Sequence, residues 1–305
     1  FQMRTSGWKP FWAALGATLL VLLPLMGGTV LLTRQAARTR IQTAEPQSGV
    51  LVALPKVTDQ MTLLVCISGE QPGFVLLYLN ASQNCLDLLA VPAETCVDFG
   101  GQDATLAQCY TSAGPARCRE ALLAPLSLPE DTRYLALSPA LLEKLTGRYG
   151  AFRVGFSGAL TPEELSLCGR TNGVEGLSAA EAQEFLSNLD LEQAQAISPA
   201  HRAMARAAVW DAFFRQNLEL LPSTLPQALR ENSSSLLTDL AAQDYYLLET
   251  ILEFLANNAA LVQSDTLPGE WNSDFYRLND DSRAAVQTFF NVSPTSGQVS
   301  SASEP

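Results

Sequence analysis

Two arginines with the spacing of one helix turn are the strongest candidates for chemistry in this sequence. Arg202 and Arg206 lie four residues apart in a segment that opens with Ser198 and Pro199, a pair typical of a helix start. Residues at i and i+4 share one flank of a helix, and guanidinium groups bind phosphate through paired hydrogen bonds. The spacing is therefore compatible with a phosphate site and also with an ordinary solvated helix face.

Two other reactive side chains give weaker patterns. Glu94 is a lone carboxylate that could act as a ligand, or as a solvated loop residue or cap. Ser157 lies in GFSGA, which is close to a nucleophile elbow, but Ala159 stands where that motif has its last glycine. His201 is the sole histidine of the chain and therefore the sole imidazole base. A serine hydrolase is disfavoured.

The cysteines do not form a metal-binding pattern. None of the six belongs to a CxxC pair, and only one histidine could join them, which argues against a zinc site. An even number of cysteines permits disulfides outside the cytoplasm, but pairing cannot be deduced from sequence, and small buried thiols fit the pattern as well. The six are Cys66, Cys85, Cys96, Cys109, Cys118 and Cys168.

The charge is distributed unevenly along the chain. The first 40 residues hold five basic and no acidic residues, so the remainder carries 14 basic and 31 acidic residues, a net charge of −17. Nucleic-acid binding depends on neutralising phosphates with basic side chains. The acidic remainder therefore excludes nucleic acid as a partner and disfavours a broad polyanion-binding face.

An apolar segment near the N-terminus predicts a membrane helix. Residues 10–33 contain no charge and lie between Lys9 and Arg34, and about 20 apolar residues suffice to span a bilayer. A cleaved signal peptide and a buried core helix are the alternatives, but signal peptides have shorter apolar regions and core helices of this length keep a polar face. The flanking basic residues are nearly balanced and do not fix the orientation.

The rest of the sequence predicts an α/β domain with a mixed sheet covered by helices on both faces. Short apolar runs bounded by Gly, Pro and Asn predict strands at 61–67, 74–80, 85–91, 133–138 and 152–156. Helices are predicted at 116–126, after Pro139, at 199–218, at 234–258 and at 280–290. The chain divides into a tail at 1–9, the membrane helix at 10–33, a linker at 34–60, the domain at 61–291 and a disordered tail at 292–305.

Three segments of this domain resemble the LytR-CpsA-Psr family of bacterial cell-envelope proteins. VPAETCV at 91–97 is similar to the family's IPRDTYV-type motif, and residues 105–129 are similar to its KINAAYAYGGP segment and following helix. LPGEWNSDFYRLNDDSRAAVQTFFN at 267–291 resembles its closing strand and final helix. The resemblance implies an α-β-α fold and a role in transferring glycopolymers from a polyprenyl pyrophosphate carrier to peptidoglycan.

The resemblance also implies a set of charged residues, and several are absent here. Family members hold the pyrophosphate with arginines, place carboxylates and usually Mg²⁺ near the bridging oxygen, and bury the lipid chain in an apolar pocket. The arginine of the IPRDT-type motif falls on Ala93. The early Asp-Ser-Arg-like turn falls on residues 68–70, Ser-Gly-Glu, and the Asp that opens the second strand falls near Pro72 or Gly73. An Arg-x-Arg strand falls near residues 187–189, which are uncharged.

Three positions retain charge, and the resemblance assigns roles to them. Glu94 corresponds to the Asp of the IPRDT-type motif, Arg202 to an arginine at the start of the long helix, and Arg206 lies one place after the companion arginine's position, which is Ala205. We expect Glu94 and Arg202 to be catalytic and Arg202 and Arg206 to bind phosphate. One lost charge-assisted contact costs about 3–4 kcal/mol in a transition state, so we predict weakened or lost catalysis, with Mg²⁺ as a cofactor only if the protein is active.

The resemblance supplies the orientation that the flanking charges do not. It implies a single-pass protein of the bacterial cell membrane, with residues 1–9 in the cytoplasm and residues 34–305 outside it. The implied partners are membrane lipid, a polyprenyl pyrophosphate glycolipid and peptidoglycan. The alternative is an envelope scaffold that binds a lipid or a partner without turnover.

Overall fold

The computed structural model describes residues 59–69, 71–272 and 274–290. The predicted membrane helix at 10–33, the linker up to residue 58 and the tail at 292–305 lie outside the described residues, so these assignments stay predictions. Within the described ranges, no helix combines the length and the apolar character needed to cross a bilayer.

The strands in the described part of the chain form one six-stranded sheet and three two-stranded sheets. Predicted strands at 61–67, 74–80, 85–91, 133–138 and 152–156 are confirmed to within a residue or two. The strands are β1 (Gln60–Ile67), β2 (Gly73–Asn80), β3 (Cys85–Val91), β4 (Cys96–Asp98), β5 (Asp103–Thr105), β6 (Arg133–Leu137), β7 (Phe152–Gly155), β8 (Val174–Leu177), β9 (Leu237–Thr238), β10 (Leu261–Thr266), β11 (Glu270–Asn272) and β12 (Phe275–Arg277).

Most α-helices of the described residues begin at side-chain caps. The hydroxyls of Thr105, Thr161, Ser178 and Ser198 each accept a hydrogen bond from the backbone N–H three residues on, which satisfies a donor that the first turn leaves free. The helices are α1 (Leu106–Leu126), α2 (Pro139–Thr146), α3 (Pro162–Leu167), α4 (Ala179–Asn188), α5 (Pro199–Asn217), α6 (Leu221–Glu231), α7 (Ala242–Asn257) and α8 (Asp280–Phe289).

The central sheet is mixed, as predicted. Its order is β10-β3-β2-β1-β6-β9. The three consecutive strands β1, β2 and β3 pair antiparallel, whereas β6 runs parallel to β1 and β10 runs parallel to β3. Parallel neighbours need long crossover connections, and these connections contain the helices.

Helices cover both faces of the sheet, which confirms the predicted three-layer architecture. On one face, α1 and α8 pack over alternate residues of the first strands, such as Leu64 and Leu76. On the other face, α2 and α4 to α7 pack over the intervening residues, such as Leu63 and Leu77. Because successive side chains of a strand point to opposite faces, the continuous apolar runs supply both cores.

Two predicted helices differ from those observed. The helix predicted at 116–126 begins earlier, at Leu106, and is interrupted at Gly114, whose φ of 78° lies in the region that favours glycine. The prediction of one helix over 234–258 was wrong at its start, because β9 lies there and α7 begins at Ala242. Asp239 explains the difference, since its carboxylate accepts a hydrogen bond from the Tyr134 N–H at 2.8 Å and ties the segment to the sheet edge.

Candidate functional site

The first two turns of α5 carry both predicted phosphate-binding arginines into the protein. Ser198 accepts a hydrogen bond from the His201 N–H, and Pro199 occupies the first helical position. Arg202 and Arg206 then follow on one flank, only 7% and 8% exposed. A solvated helix face is therefore excluded for these two residues, and each buried guanidinium needs partners.

Arg202 is held by Glu94 and by two backbone carbonyls. Its Nη1 donates to the Ile197 oxygen at 2.9 Å and to the Ala194 oxygen at 3.3 Å, while its Nη2 donates to Glu94 Oε1. Glu94 lies in the turn between β3 and β4, and its side chain is 20% exposed. The structure thus brings together the two residues predicted to be catalytic, and Glu94 is not a solvated loop carboxylate.

Arg206 is held by a carboxylate that the sequence did not suggest. Its Nη2 donates to Asp190 Oδ1 at 3.0 Å, and its guanidinium lies directly over Gly73, where an added Cβ would stand 2.7 Å from Nη1. Burial raises the pKa of Asp190, and the charge of Arg206 and, more weakly, of Arg202 opposes that rise. Nothing in the spacing of Asp190, just beyond α4, signals this contact.

Glu94, Arg202, Asp190 and Arg206 together form one charge cluster. Arg202 and Arg206 are one helix turn apart on the same flank of α5, so their two ion pairs are neighbours. With two carboxylates and two guanidiniums, the cluster has a formal charge of zero. An incoming phosphate would therefore compete with internal carboxylates for the same N–H donors.

An open cavity of about 320 Å³ lies beside Arg206. We call it the Arg206 cavity; its lining residues include Ser68, Gly69, Gly73, Asp190 and Arg206. Its size falls in the range of small-molecule sites, about 300–1,000 Å³. Residues 68–69 form part of the wall of the Arg206 cavity. They belong to the turn where the resemblance implies a cation that this chain lacks. Glu70, the third residue of that turn, lies outside the described residues.

A second, apolar cavity lies between the sheet and the helices that follow Arg206. It is about 60 Å³ and is lined by side chains of β1, β2, β3 and β6 on one side and by Trp210, Phe213 and Phe214 of α5 on the other. Trp210 is one helix turn beyond Arg206. The apolar cavity corresponds in character to the lipid pocket that the resemblance implied, but its volume is smaller than that of drug-sized ligand sites.

One position assigned by the resemblance has a different backbone conformation. Residues 187–189 were expected to form a strand, but Ser187 and Asn188 end helix α4 and Leu189 is its C-terminal cap. The Asn188 amide donates to the Cys168 carbonyl at 3.2 Å and fixes this helix end. The segment leads directly to Asp190, so it supplies an anion to the charge cluster.

The side chains near the charge cluster that could coordinate a metal do not fit a Mg²⁺ site. Within the described residues, no three histidine, cysteine, aspartate or glutamate side chains converge on a point where they could hold a metal ion. Glu94 and Asp190 are each already bound to a guanidinium. Mg²⁺ requires near-octahedral oxygen ligands, and we assign no step to it here.

Several solved structures share this fold, and one of them is described as a LytR-CPS2A-psr family protein. A protein of Eubacterium siraeum, described as a transcription regulator, superposes with a TM-score of 0.63 at 17% identity, covering 81% of this chain and 96% of that one. For B. subtilis TagT the TM-score is 0.57 at 15% identity, with 82% of this chain and 99% of that one covered.

A further structure is described as the LytR-CPS2A-psr family protein YwtF (TagT) with bound octaprenyl pyrophosphate lipid. It superposes with a TM-score of 0.55 at 14% identity, and the match covers 77% of this chain and 92% of that one. No protein-family model and no curated protein sequence matches this chain. At these identities the likeness shows the fold, and it confirms the predicted resemblance at that level.

Proposed function

We propose that this protein is a cell-envelope protein of the LytR-CpsA-Psr type that binds a polyprenyl pyrophosphate-linked glycopolymer, with transfer to peptidoglycan weakened or lost. The shared fold supports the family type, and the structure described with octaprenyl pyrophosphate lipid supports the ligand class. The Arg206 cavity would receive the phosphates and the neighbouring apolar cavity the start of the lipid chain.

The charge cluster is the observation that carries the proposal of weak catalysis. Phosphoryl transfer needs positive charge that is free to meet the developing negative charge. Here Glu94 and Asp190 neutralise both buried guanidiniums. Donors already committed to internal carboxylates stabilise a bound pyrophosphate less, and each lost contact costs about 3–4 kcal/mol in the transition state.

The proposal includes a location at the membrane. A lipid carrier stays in the bilayer, so a protein that handles its headgroup benefits from being anchored beside it. We propose that residues 10–33 form this anchor, that residues 1–9 are cytoplasmic and that the domain is extracytoplasmic. Protease accessibility of the domain in intact bacterial cells, compared with lysed cells, tests this orientation.

Turnover is tested with the full-length protein, a lipid-linked glycopolymer and purified peptidoglycan, using Arg202→Ala as the comparison. We expect the glycolipid to be retained without polymer transfer above the level of the variant. Measurable transfer that Arg202→Ala abolishes would show that the charge cluster is catalytic and would overturn the weak-catalysis proposal.

Glu94→Gln tests whether neutralisation limits ligand binding. The substitution removes one negative charge next to Arg202, so we expect the affinity for octaprenyl pyrophosphate to rise at least tenfold, since a unit charge at about 6 Å contributes about 2.8 kcal/mol at an effective dielectric constant of about 20. Glu249→Gln is the matched control, because Glu249 pairs with Arg230 on the surface. An unchanged or lower affinity for Glu94→Gln contradicts the proposal.

The second candidate function is an envelope scaffold that takes no lipid. The small volume of the apolar cavity, about 60 Å³, favours it, because a polyprenyl chain enters only if the helices separate. If neither the wild-type protein nor Glu94→Gln retains octaprenyl pyrophosphate, the scaffold function replaces the lipid-binding one.

A further inference from the structure

A separate cleft of about 500 Å³ lies on another side of the start of α5. We call it the His201 cleft. Its walls come from the turn that follows β7, the start of α3 and the first turn of α5, and it is lined by Ser157, Thr161, Pro162, Leu165, Thr171 and His201, among others. The lining combines three hydroxyls, one imidazole and an apolar floor.

A carboxylate fixes the imidazole in this cleft. Nδ1 of His201 lies 2.9 Å from Oε1 and 3.1 Å from Oε2 of Glu164. Oε2 of Glu164 also accepts the backbone N–H of Thr161 at 2.9 Å. Burial raises the pKa of Glu164, but these hydrogen bonds outweigh it and leave the pKa below its ordinary value.

The protonation of Glu164 determines which nitrogen of His201 is available. An ionised carboxylate can only accept, so Nδ1 must carry the hydrogen and donate it. In the neutral imidazole, Nε2 is then the acceptor. The His201 side chain is 45% exposed, and among the described residues no group is hydrogen-bonded to Nε2. The cleft thus contains a fixed hydrogen-bond acceptor, Nε2 of His201, which is available to a donor on a ligand.

The His201 cleft is close to the charge cluster but distinct from it. Successive helix residues are turned by about 100°, so His201 and Arg202 leave α5 in different directions. The buried thiol of Cys168 lies near both pairs: burial and the Glu164 charge raise its pKa to about 11, while Arg202 lowers it. The two sites are therefore neighbours, and both lie near this buried residue.

We infer that the His201 cleft binds a neutral, hydroxyl-rich ligand, a saccharide, with a ligand hydroxyl donating to Nε2 of His201. A sugar ring has an apolar face and a rim of hydroxyls, which match the floor at Leu165 and Pro162 and the hydroxyls of Ser157 and Thr171. The paired imidazole and carboxylate provide no surplus positive charge for an anion. Binding here does not depend on lipid binding or on transfer at the charge cluster.

The single histidine makes this inference directly observable. In full-length protein labelled with ¹⁵N at histidine only, the imidazole gives one pair of nitrogen resonances, because His201 is the one histidine among 305 residues. We expect the tautomer protonated at Nδ1. Titration with maltotriose, cellotriose and triacetylchitotriose is expected to shift the Nε2 resonance saturably for at least one of them, and inorganic phosphate is expected to leave it unchanged.

Two variants separate a ligand contact from a structural effect. His201→Phe keeps the ring volume but removes the acceptor, and we expect the saccharide affinity to fall about fivefold, as for one net hydrogen bond, with an unchanged thermal midpoint. Glu164→Gln is expected to weaken binding and to change the tautomer ratio. The inference is overturned if no saccharide shifts Nε2, if phosphate shifts it instead, or if a correctly folded His201→Phe binds as tightly as wild type.

Discussion

The carboxylates at the two ends of strand β3 have opposite electrostatic environments. Asp87, near the start of the strand, is 2% exposed, and one of its oxygens, Oδ1, has no hydrogen-bond partner within the described part of the chain. Glu94, just after the strand ends, is less buried and is bound to Arg202. Among the described residues, Asp87 has no cation in contact with it, whereas Glu94 shares a cluster with two guanidiniums.

The difference follows from what covers each end. Asp87 lies beneath the layer formed by α1 and α8, near Tyr78, whose ring stacks on Phe290. Burial there raises the pKa of Asp87 to about 6, opposed by a hydrogen bond from Cys85. The other end of β3 lies next to the first turns of α5, which supply Arg202 and Arg206. A buried acid is thus compensated by a cation at one end and by a raised pKa at the other.

Removing a cation from the charge cluster should have the largest effect. Arg202→Met leaves Glu94 and two backbone carbonyls without their donor, and loss of one partner of a buried pair costs about 3–5 kcal/mol. We expect a loss of about 3 kcal/mol in the free energy of unfolding, measured by urea denaturation. Arg230→Met, which breaks a surface pair with Glu249, should cost less than about 0.5 kcal/mol.

A second substitution separates the effect of the lost Arg202–Glu94 ion pair from the effect of the lost packing of the arginine side chain. Adding Glu94→Leu to Arg202→Met removes the unpaired carboxylate, so most of the lost stability should return. If the double variant is no more stable than Arg202→Met alone, the cost lies in packing of the arginine stem and not in the pairing of a buried carboxylate with a cation.

Asp87→Asn should stabilise the protein at neutral pH. The pKa of Asp87 is about 6 in the folded protein and 3.8 for an ordinary aspartate, so the folded state binds more protons between about pH 4 and 6, and stability falls as the pH rises through that window. The amide never ionises. We expect the variant to be more stable than wild type by about 2–3 kcal/mol at pH 7.5 and nearly equal to it at pH 4.

Unfolding curves at several pH values test the behaviour of Asp87. A stability difference between Asp87→Asn and wild type that does not change from pH 4 to pH 7.5 would show that burial of the charge is not the cause. The stability difference would then come from the polar contacts of the amide alone.

Gly73→Ala should give the smallest effect of the three. The added Cβ would stand 2.7 Å from Arg206 Nη1, so the guanidinium must move and weaken its 3.0 Å bond to Asp190. We expect a loss of about 1 kcal/mol. Gly176→Ala is the matched control, because its Cβ would meet no atom of the described residues within 4 Å. Equal effects for the two variants would contradict a close guanidinium contact.

Much of the fold could be predicted because it depends on local patterns. The apolar runs of β1, β2 and β3 are bounded by Gly, Pro or Asn, and the starts of α2 and α5 are visible as a Ser directly before a Pro. Short or edge elements were missed, including β9 and β10, because their sequences contain polar residues and form strands only by pairing with a sheet already present.

The candidate site was predicted only in part. The i,i+4 spacing of Arg202 and Arg206 placed both on one flank of α5, and the resemblance assigned Glu94 and Arg202 to the same catalytic site. Asp190 was missed, and so was the role of Glu164 as a partner of His201. These contacts join helix ends and turns whose positions depend on the packing of several elements.

The sequence by itself determined the strands of the central sheet, the helix starts and the flank of α5 that carries its arginines, because hydrophobic periodicity and capping act within a few residues. Only the tertiary structure decided which carboxylate faces each arginine. Arg202 and Glu94 are 108 residues apart and Arg206 and Asp190 are 16 apart. Their pairing follows from the packing of α5 against the end of β3 and beside the end of α4, which brings both carboxylates within reach of the buried guanidiniums.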